Sequence, residues 1–327
     1  MGMTLESVRF LIEARQSGAA FNRVATLGRQ GLWVSPERLA ALLREAQLLA
    51  TAGTAAFECS LAAAEWRFAA FLRGLGAETV VACDASSYEG ASLIHDLNRP
   101  IPTEWTDRYD AVIDGGTLEH VFNFPTAIAN AMQMARPGGR LFLFTTGNNY
   151  FGHGFYQFSP ELFFRVLSAA NGFETERLHA VADTTGLASF LGVKYPFPIR
   201  SSRYAVSDPQ AIRQRVLLVN HEPVLLFVQA RKLASVVPFR EFPQQSDYVD
   251  QWHEGTPTNP LDQSTRAGGF TNWLRRRFSE EFCRETLPRL AGWLDPLRAW
   301  RFRRKLSFHN RQYYRRVDER DGPTARE

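Results

Sequence analysis

The chain has 327 residues, of which 45% are hydrophobic and 22% are charged, and these proportions are ordinary for a globular protein. No stretch reaches the roughly 18 apolar residues that a membrane-spanning helix needs, and charges near the N-terminus argue against a secretory signal. Three widely separated cysteines argue against a disulfide framework or a zinc knuckle. We therefore expect a cytoplasmic protein, and the length allows either one large domain or a medium domain with an appendage.

Strand and helix signals alternate from the N-terminus to about residue 230. Residues 23–28 predict a short strand that stops at a glycine, and Ser35 and Pro36 start a helix that runs to about residue 50. A second helix is predicted at roughly 58–73. The rest of this region predicts strands at 79–84, 92–97, 109–114 and 140–146, helices at 125–135 and 159–171, and two strands within 215–232 that are joined at "NHEP".

This alternation predicts an α/β fold built on a mostly parallel, Rossmann-like sheet, to which the final pair of strands adds an antiparallel edge strand. About 50 residues separate the first two strands of the sheet, so a helical insert is expected at about 32–75. We assign residues 1–233 to one domain. Residues 234–270, rich in Pro, Gly and polar residues, predict a linker, and residues 271–327 predict a helical extension.

Acidic residues end two consecutive predicted strands. Asp84 and Asp96 both fall at carboxyl ends, the edge where open α/β sheets bind their ligands. A carboxylate at that position can accept two hydrogen bonds from a ribose diol, and a second can meet the polar edge of an adenine. The spacing therefore suits a nucleoside that lies across the top of the sheet. The alternative is that both residues only cap strands or form turns, as Asp often does.

The segment "YDAVIDGGTLEHVFNFPTAIANAMQMARPGGRLFLFTTGNN" and the later "FSPELFFRVLSAANGF" resemble the class I S-adenosylmethionine-dependent methyltransferases of the type 11/12 kind. The resemblance implies a seven-stranded sheet whose last strand is antiparallel, with S-adenosylmethionine as the cofactor. It also implies that Asp84 holds the cofactor ribose, that Asp96 and Leu97 lie beside the adenine, and that Asp114 and Gly115 flank the methionyl end.

The first motif of that superfamily, a strand followed by a glycine-rich turn, is altered in this chain. The turn reads "LGRQG", which leaves only Gly28 and Gly31. One explanation is that the insert is a lid and that Arg29 or Gln30 replaces backbone contacts to the methionine carboxylate. The other explanation is that the cofactor pocket has decayed and that the fold serves another purpose.

Two histidines near strand ends are candidates for a catalytic base, His120 and His153. The alternative for His120 is a residue that packs at the start of a helix. The loop around His153 is rich in amides and aromatic rings, which suits a polar acceptor such as a sugar hydroxyl, although the same side chains could cap the loop itself. The residues assigned to the acceptor are Asn148, Asn149, Tyr156 and Gln157. No spacing of acids and histidines indicates a metal ion.

The sequence thus favours methyl transfer to a small polar or carbohydrate-like acceptor. A non-catalytic binding or assembly protein with this fold is the alternative from another class, and a nucleic-acid methyltransferase is a third. Residues 271–327 contain 15 Arg and Lys against 8 Asp and Glu, with interleaved aromatic residues. We expect this extension to pack on the domain. Peripheral contact with an anionic membrane and contact with nucleic acid are the alternatives, in that order.

Overall fold

The computed structural model describes residues 2–50, 53–182, 201–249 and 304–317. The chain divides into two compact units, of which the first comprises 1–205, 222–243 and 316–327 and the second comprises 206–221 and 244–315. The linker predicted at 234–270 and the basic extension predicted at 271–327 fall largely outside the described residues, so both remain predictions.

Eleven strands are present in the described residues. They are β1 Gly2–Met3, β2 Arg23–Leu27, β3 Gly31–Leu32, β4 Thr79–Asp84, β5 Leu93–Ile94, β6 Tyr109–Asp114, β7 Ala135–Thr146, β8 Phe173–Ala182, β9 Ser202–Val206, β10 Val224–Lys232 and β11 Tyr314–Arg316. β1 and β3 form a small parallel sheet. The other strands form one sheet in the order β11-β9-β8-β10-β7-β6-β2-β4-β5.

The predicted mostly parallel core of this sheet is confirmed. β2 is parallel to both β4 and β6, β4 is parallel to β5, and β6 is parallel to β7. The described part of the sheet has nine strands, however, and not the seven that the resemblance implies. β9 accounts for part of the difference, because it pairs with the outer side of β8 and so covers an edge that would otherwise expose unpaired backbone groups.

The prediction of an antiparallel edge strand is wrong in its position. β10 is antiparallel but lies between β7 and β8. Eight of its nine residues are buried, which requires neighbours on both sides, and its apolar run fits such a central place. The partner expected at 215–219 is not a strand, and β10 pairs instead with β7 and β8.

Seven α-helices are present in the described residues. They are α1 Leu5–Gln16, α2 Pro36–Glu45, α3 Thr54–Ala63, α4 Arg67–Gly74, α5 Phe124–Met134, α6 Pro160–Val166 and α7 Pro209–Ile212. The predicted cap of α2 is present, since the Ser35 side chain accepts a hydrogen bond from the Arg38 N–H at 3.3 Å. None of the described helices combines the length and the hydropathy that crossing a bilayer requires.

The helical insert differs from its prediction in one respect that matters for the site. The single helix expected at 58–73 is two helices, α3 and α4, because the backbone turns extended at Ala64. Trp66 occupies this break, and its indole N–H donates to the Gln30 backbone carbonyl at 2.9 Å. The break therefore anchors the insert to the segment that follows β2.

Aromatic rings pack one face of the sheet. Phe10 of α1 meets Phe144 and Phe227 edge-on, with ring centroids 5.8 Å apart in both pairs, and Phe21 stacks on Phe142 at 5.5 Å. Burial of each such ring is worth about 2–3 kcal/mol. This packing fixes β7 and β10 at the centre of the sheet.

The second unit is held together by its own contacts among the described residues. The Arg215 guanidinium forms an ion pair with Asp247 at 2.6 Å. The Val219 N–H donates to the Leu306 carbonyl at 2.6 Å, and the Tyr314 hydroxyl donates to the Leu217 carbonyl at 3.3 Å. The apolar run that the sequence assigned to a strand therefore bonds within this unit.

Candidate functional site

The carboxyl ends of β2, β4 and β6 lie side by side, with β2 in the middle. Their register places Leu27 opposite both Cys83 and Asp114. The chain adds β4 and β5 on one side of β2 and β6 and β7 on the other, so the strand order reverses at β2. Such a reversal opens a crevice at the carboxyl edge, where ligands of open α/β sheets bind.

Gly28 brings the backbone close to the neighbouring side chains at this edge. Its φ is +73°, and a Cβ atom there would lie 2.8 Å from Thr117 Oγ1 and 3.9 Å from Asp84 Oδ2. Its N–H donates to the Cys83 carbonyl at 2.7 Å. Asp84 uses Oδ1 to accept from the Ala85 N–H at 2.7 Å. Oδ2 of Asp84 therefore faces Gly28.

The Gln30 side chain lies over the two glycines of the crevice. It is buried, and its Nε2 donates to the Leu27 carbonyl at 2.6 Å and to Thr117 Oγ1 at 3.2 Å. A Cβ atom on Gly115 would lie 2.7 Å from Gln30 Oε1. Both hydrogens of this amide are thus directed at protein acceptors, so Gln30 has to move before it can meet the carboxylate that the sequence assigns to it.

Arg29 is bound to the insert and to the loop after β4. Its guanidinium donates to the Glu89 carbonyl at 2.7 Å and to Glu65 Oε1 at 3.2 Å, and it lies 5.3 Å from the centre of the Trp66 ring. These contacts join the segment after β2 to the insert and to the loop after β4. They do not direct Arg29 at the crevice between Gly28 and Gly115.

Asp96 and Leu97 make the contacts of turn residues. Asp96 is exposed, and its Oδ1 accepts from the Asn98 N–H at 3.0 Å and from the Asn98 side chain at 2.8 Å. These hydrogen bonds lower the Asp96 pKa from its ordinary value. Leu97 is buried, and its carbonyl accepts from Asn130 Nδ2 at 3.2 Å. Both residues follow β5, next to Asp84, but their contacts are those of the turn alternative.

Two carboxyl groups are fully buried at the carboxyl end of β6. Asp114 accepts from the Thr117 N–H through Oδ1 at 2.9 Å, and its Oδ2 has no partner among the described residues. Burial and the nearby Glu119 carboxyl raise the Asp114 pKa to about 8. Glu119 accepts from the Thr145 hydroxyl through Oε2 at 2.9 Å, while burial raises its pKa and its Oε1 is likewise unpartnered in the described region.

His120 and His153, which the sequence placed far apart, are neighbours. Their ring centroids lie 5.1 Å apart, and His153 Nε2 lies 4.0 Å from Glu119 Oε1. Partial loss of hydration lowers the pKa of both imidazoles, so both are neutral at neutral pH. One nitrogen from each ring and one oxygen of Glu119 all lie within 4.8 Å of one another.

The sequence indicated no metal site, and the spacing of residues along the chain did not reveal this group of Glu119 with two histidines. Thirty-odd positions separate the two histidines in the chain, so spacing alone does not reveal the group. The available signal was that both histidines follow strand ends, β6 and β7, and that these strands are neighbours. Glu119 itself gave no signal, because nothing in "LEH" distinguishes a buried acid from an exposed one.

Polar groups of the loop after β7 form hydrogen bonds with backbone groups of the loop and of neighbouring segments. Asn149 Nδ2 donates to the Glu222 carbonyl at 2.8 Å, and the Gln157 side chain accepts from the Tyr150 N–H at 2.9 Å. The Tyr156 hydroxyl donates to the Phe122 carbonyl at 2.6 Å, and the Asn148 carbonyl accepts from the Val224 N–H at 2.9 Å. The Gln157 contact lies within the loop, as the self-capping alternative expects, and the other contacts join the loop to neighbouring segments.

No protein-family model matches the chain, and no curated protein sequence matches it. Among solved structures, 1,6-didemethyltoxoflavin-N1-methyltransferase from Burkholderia thailandensis, with bound S-adenosylhomocysteine, is 14% identical, with a TM-score of 0.34 over 70% of this chain and 80% of its own. An S-adenosylmethionine-dependent methyltransferase from Mesorhizobium loti is 14% identical, with a TM-score of 0.35 over 68% and 96%.

A third solved structure, the branched-chain polyamine synthase from Thermus thermophilus with 5'-methylthioadenosine, is 13% identical, with a TM-score of 0.36 over 75% of this chain and 62% of its own. S-adenosylmethionine-dependent methyltransferases, which the sequence resembles, are thus among the structures that match this chain. All three TM-scores lie below 0.5.

Proposed function

We propose that this protein binds S-adenosylmethionine at the carboxyl edge of β2, β4 and β6 and transfers its methyl group to a small polar or carbohydrate-like acceptor. The observation that carries the proposal is the orientation of Asp84. Its Oδ2 faces Gly28 across the point where the strand order reverses. A carboxylate there can accept hydrogen bonds from both hydroxyls of a ribose.

Glycine at position 28 fits the same ligand. A Cβ atom would fill the 3.9 Å space toward Asp84 and collide with Thr117 at 2.8 Å, so a side chain at 28 would obstruct the crevice. Next to it, the Gln30 amide can exchange its bonds to Leu27 and Thr117 for the amino-acid end of the cofactor. Asp114 and Gly115 then border the far end of the crevice.

S-adenosylmethionine, when bound, supplies an electrophilic methyl group on a sulfonium. The task of the protein is then to align the acceptor and to receive a proton. His153 and His120 suit the second role, because both rings are neutral at neutral pH and stand after β7 and β6, beside the crevice. We assign the acceptor to residues of the loop after β7, Asn148, Asn149, Tyr156 and Gln157, which would have to exchange their present hydrogen bonds for it.

Calorimetry with S-adenosylhomocysteine tests the cofactor assignment. Asp84→Asn should weaken binding by about 1.5–3 kcal/mol, the range of hydrogen bonds to a charged group, which is at least about tenfold in Kd. Asp96→Asn is the matched control, because Asp96 is exposed and bound to its own turn. We expect it to change the affinity less than about twofold. Equal effects of the two variants, or an unaffected Asp84→Asn, would contradict the assignment.

A binding protein without methyl transfer is the second candidate, and the position of Gln30 favours it. That side chain covers Gly115 and is held by Leu27 and Thr117. If Gln30 changes partners to hold the cofactor, Gln30→Ala should weaken S-adenosylhomocysteine binding by about 1 kcal/mol, or roughly fivefold. If Gln30 only blocks the crevice, the variant should bind more tightly than the natural chain. Calorimetry with both proteins separates a crevice in which Gln30 holds the cofactor from one that Gln30 blocks.

A further inference from the structure

We propose that Glu119, His120 and His153 form a binding site for one divalent transition-metal ion. The proposal concerns a site beyond methyl transfer, and it does not depend on cofactor binding. One oxygen and two imidazole nitrogens converge within 4.8 Å. Two neutral imidazoles and one carboxylate are the ligand set of many zinc sites and of non-haem iron sites.

The buried atoms of this group lack partners that a cation would supply. Glu119 is fully buried, and its Oε1 has no hydrogen-bond partner within the described residues. The same holds for His153 Nε2, a buried atom 4.0 Å from that oxygen. Leaving such groups unsatisfied costs about 1–3 kcal/mol each. The 4.0 Å gap is too long for a hydrogen bond, and it is a few tenths of an ångström wider than the separation of about 3.3–3.6 Å between two ligands of a tetrahedral ion with bonds of about 2.0–2.2 Å, so a small movement of the His153 ring would complete the site.

The surrounding backbone holds the two ligand-bearing segments together. The Phe155 and Tyr156 N–H groups both donate to the Glu119 carbonyl, at 2.9 and 3.3 Å. A Cβ atom on Gly154 would lie 2.8 Å from that carbonyl, so glycine lets the loop that carries His153 close on the turn that carries Glu119 and His120. The Thr145 hydroxyl fixes Glu119 Oε2 at 2.9 Å and so orients the other oxygen.

A metal ion in this place could also act on an acceptor. Three protein ligands leave coordination positions open, and His120, the most exposed of the three, marks the side from which solvent enters. An acceptor hydroxyl bound there would lose its proton more easily, since a divalent ion lowers the pKa of a coordinated oxygen. With the ion bound, His120 and His153 would serve as ligands instead of bases, and the proton would pass to solvent. The ligand set favours Mn²⁺, Fe²⁺, Co²⁺ or Zn²⁺ over Mg²⁺, because Mg²⁺ prefers oxygen ligands.

The test is metal binding by the full chain, freed of any oligohistidine tag and treated with a chelator. Calorimetry with MnCl₂ and with ZnCl₂ should give one site per chain, and MgCl₂ should bind at least about tenfold more weakly. His153→Ala and Glu119→Gln should each weaken Mn²⁺ binding about tenfold to a hundredfold. Glu119→Gln keeps an acceptor for Thr145, and circular dichroism verifies that both variants fold.

His95→Ala is the matched control, because His95 lies outside the proposed site. Its ring contacts the Trp105 ring and the Arg99 carbonyl instead. It should leave Mn²⁺ affinity unchanged. Electron spin echo spectra of the Mn²⁺ protein should show coupling to imidazole nitrogen that His153→Ala reduces. Absence of binding, binding that both site variants retain, or equal affinity for Mg²⁺ would each overturn the proposal. None of these results depends on whether S-adenosylhomocysteine binds.

Discussion

The two halves of the carboxyl edge differ in how their polar groups are satisfied. On the β4 side, Arg29 and Gln30 direct their donors at protein acceptors in the insert and in neighbouring loops. On the β6 side, Asp114, Glu119 and His153 each have a buried polar atom without a partner in the described part of the chain. We call the β4 side the closed half because the donors of Arg29 and Gln30 are satisfied by protein acceptors there, although Asp84 Oδ2 still faces Gly28. The β6 side has the unpaired groups that a ligand would complete.

The unpaired carboxyl group of Asp114 on the β6 side should make the free energy of unfolding depend on pH. This is the largest effect that we expect. The raised Asp114 pKa means that folding favours the protonated acid. The contribution of the protonated Asp114 side chain to the free energy of unfolding is complete below the unfolded pKa near 4. It is lost as the pH rises through the folded pKa of about 8. Asp114→Asn imitates the protonated form. The difference in unfolding free energy between Asp114→Asn and the natural chain should change in favour of the variant by on the order of 3–4 kcal/mol from pH 5 to pH 9.

Urea unfolding at pH 5 and pH 9, in the presence of a chelator, measures this difference. Asp96→Asn is the control, because the Asp96 pKa is lowered and its side chain is exposed. That variant should show no such gain at high pH. A parallel pH dependence in Asp114→Asn and the natural chain would remove the contrast between the two halves.

A smaller effect is expected at Gly28 on the closed half. Gly28→Ala combines an unfavourable positive φ with a contact of 2.8 Å to Thr117. Gly18→Ala offers a matched control, since Gly18 has a φ of +91° but no atom within 4 Å of the added Cβ. Gly18→Ala should cost about 1–2 kcal/mol of unfolding free energy, and Gly28→Ala about 1 kcal/mol or more beyond that. Equal costs in thermal or urea unfolding would show that Gly28 is not crowded.

The smallest effect should come from the contact that joins the insert to the closed half. Trp66→Phe keeps an aromatic ring beside Arg29 but removes the N–H that donates to the Gln30 carbonyl. We expect a loss of about 0.5–1.5 kcal/mol in unfolding free energy. Glu65→Gln, which weakens a pair with a largely exposed carboxylate, should cost less than about 0.5 kcal/mol. If Glu65→Gln cost more than Trp66→Phe, the ion pair would be the principal link.

The sequence was informative wherever a buried apolar run stops at a small or acidic residue. Such stops at Gly28, Asp84 and Asp114 located the carboxyl ends of three adjacent strands, because parallel strands in the middle of a sheet are apolar on both faces. The same rule did not place β10, since an apolar run records burial but not which strands cover it. The strand order came only with the register to β7 and β8.

Side-chain partners far apart in the chain were beyond the sequence. Gln30 was assigned to the cofactor on its position in the first motif, but its bond to Thr117 spans 87 positions. The approach of His153 to Glu119 likewise depends on how the loop after β7 folds back on the turn after β6. Local patterns cannot report such contacts, because they follow from tertiary packing rather than from spacing.

The central place of β10 has a consequence for the order of assembly during synthesis. β7 and β8 are both made before β10, yet each pairs with it and not with the other. A nascent chain that has not yet extended past Lys232 therefore has two exposed strands without their shared neighbour. The final closure of the sheet must wait for that segment to leave the ribosome, and we expect the intermediate that lacks β10 to be prone to aggregation.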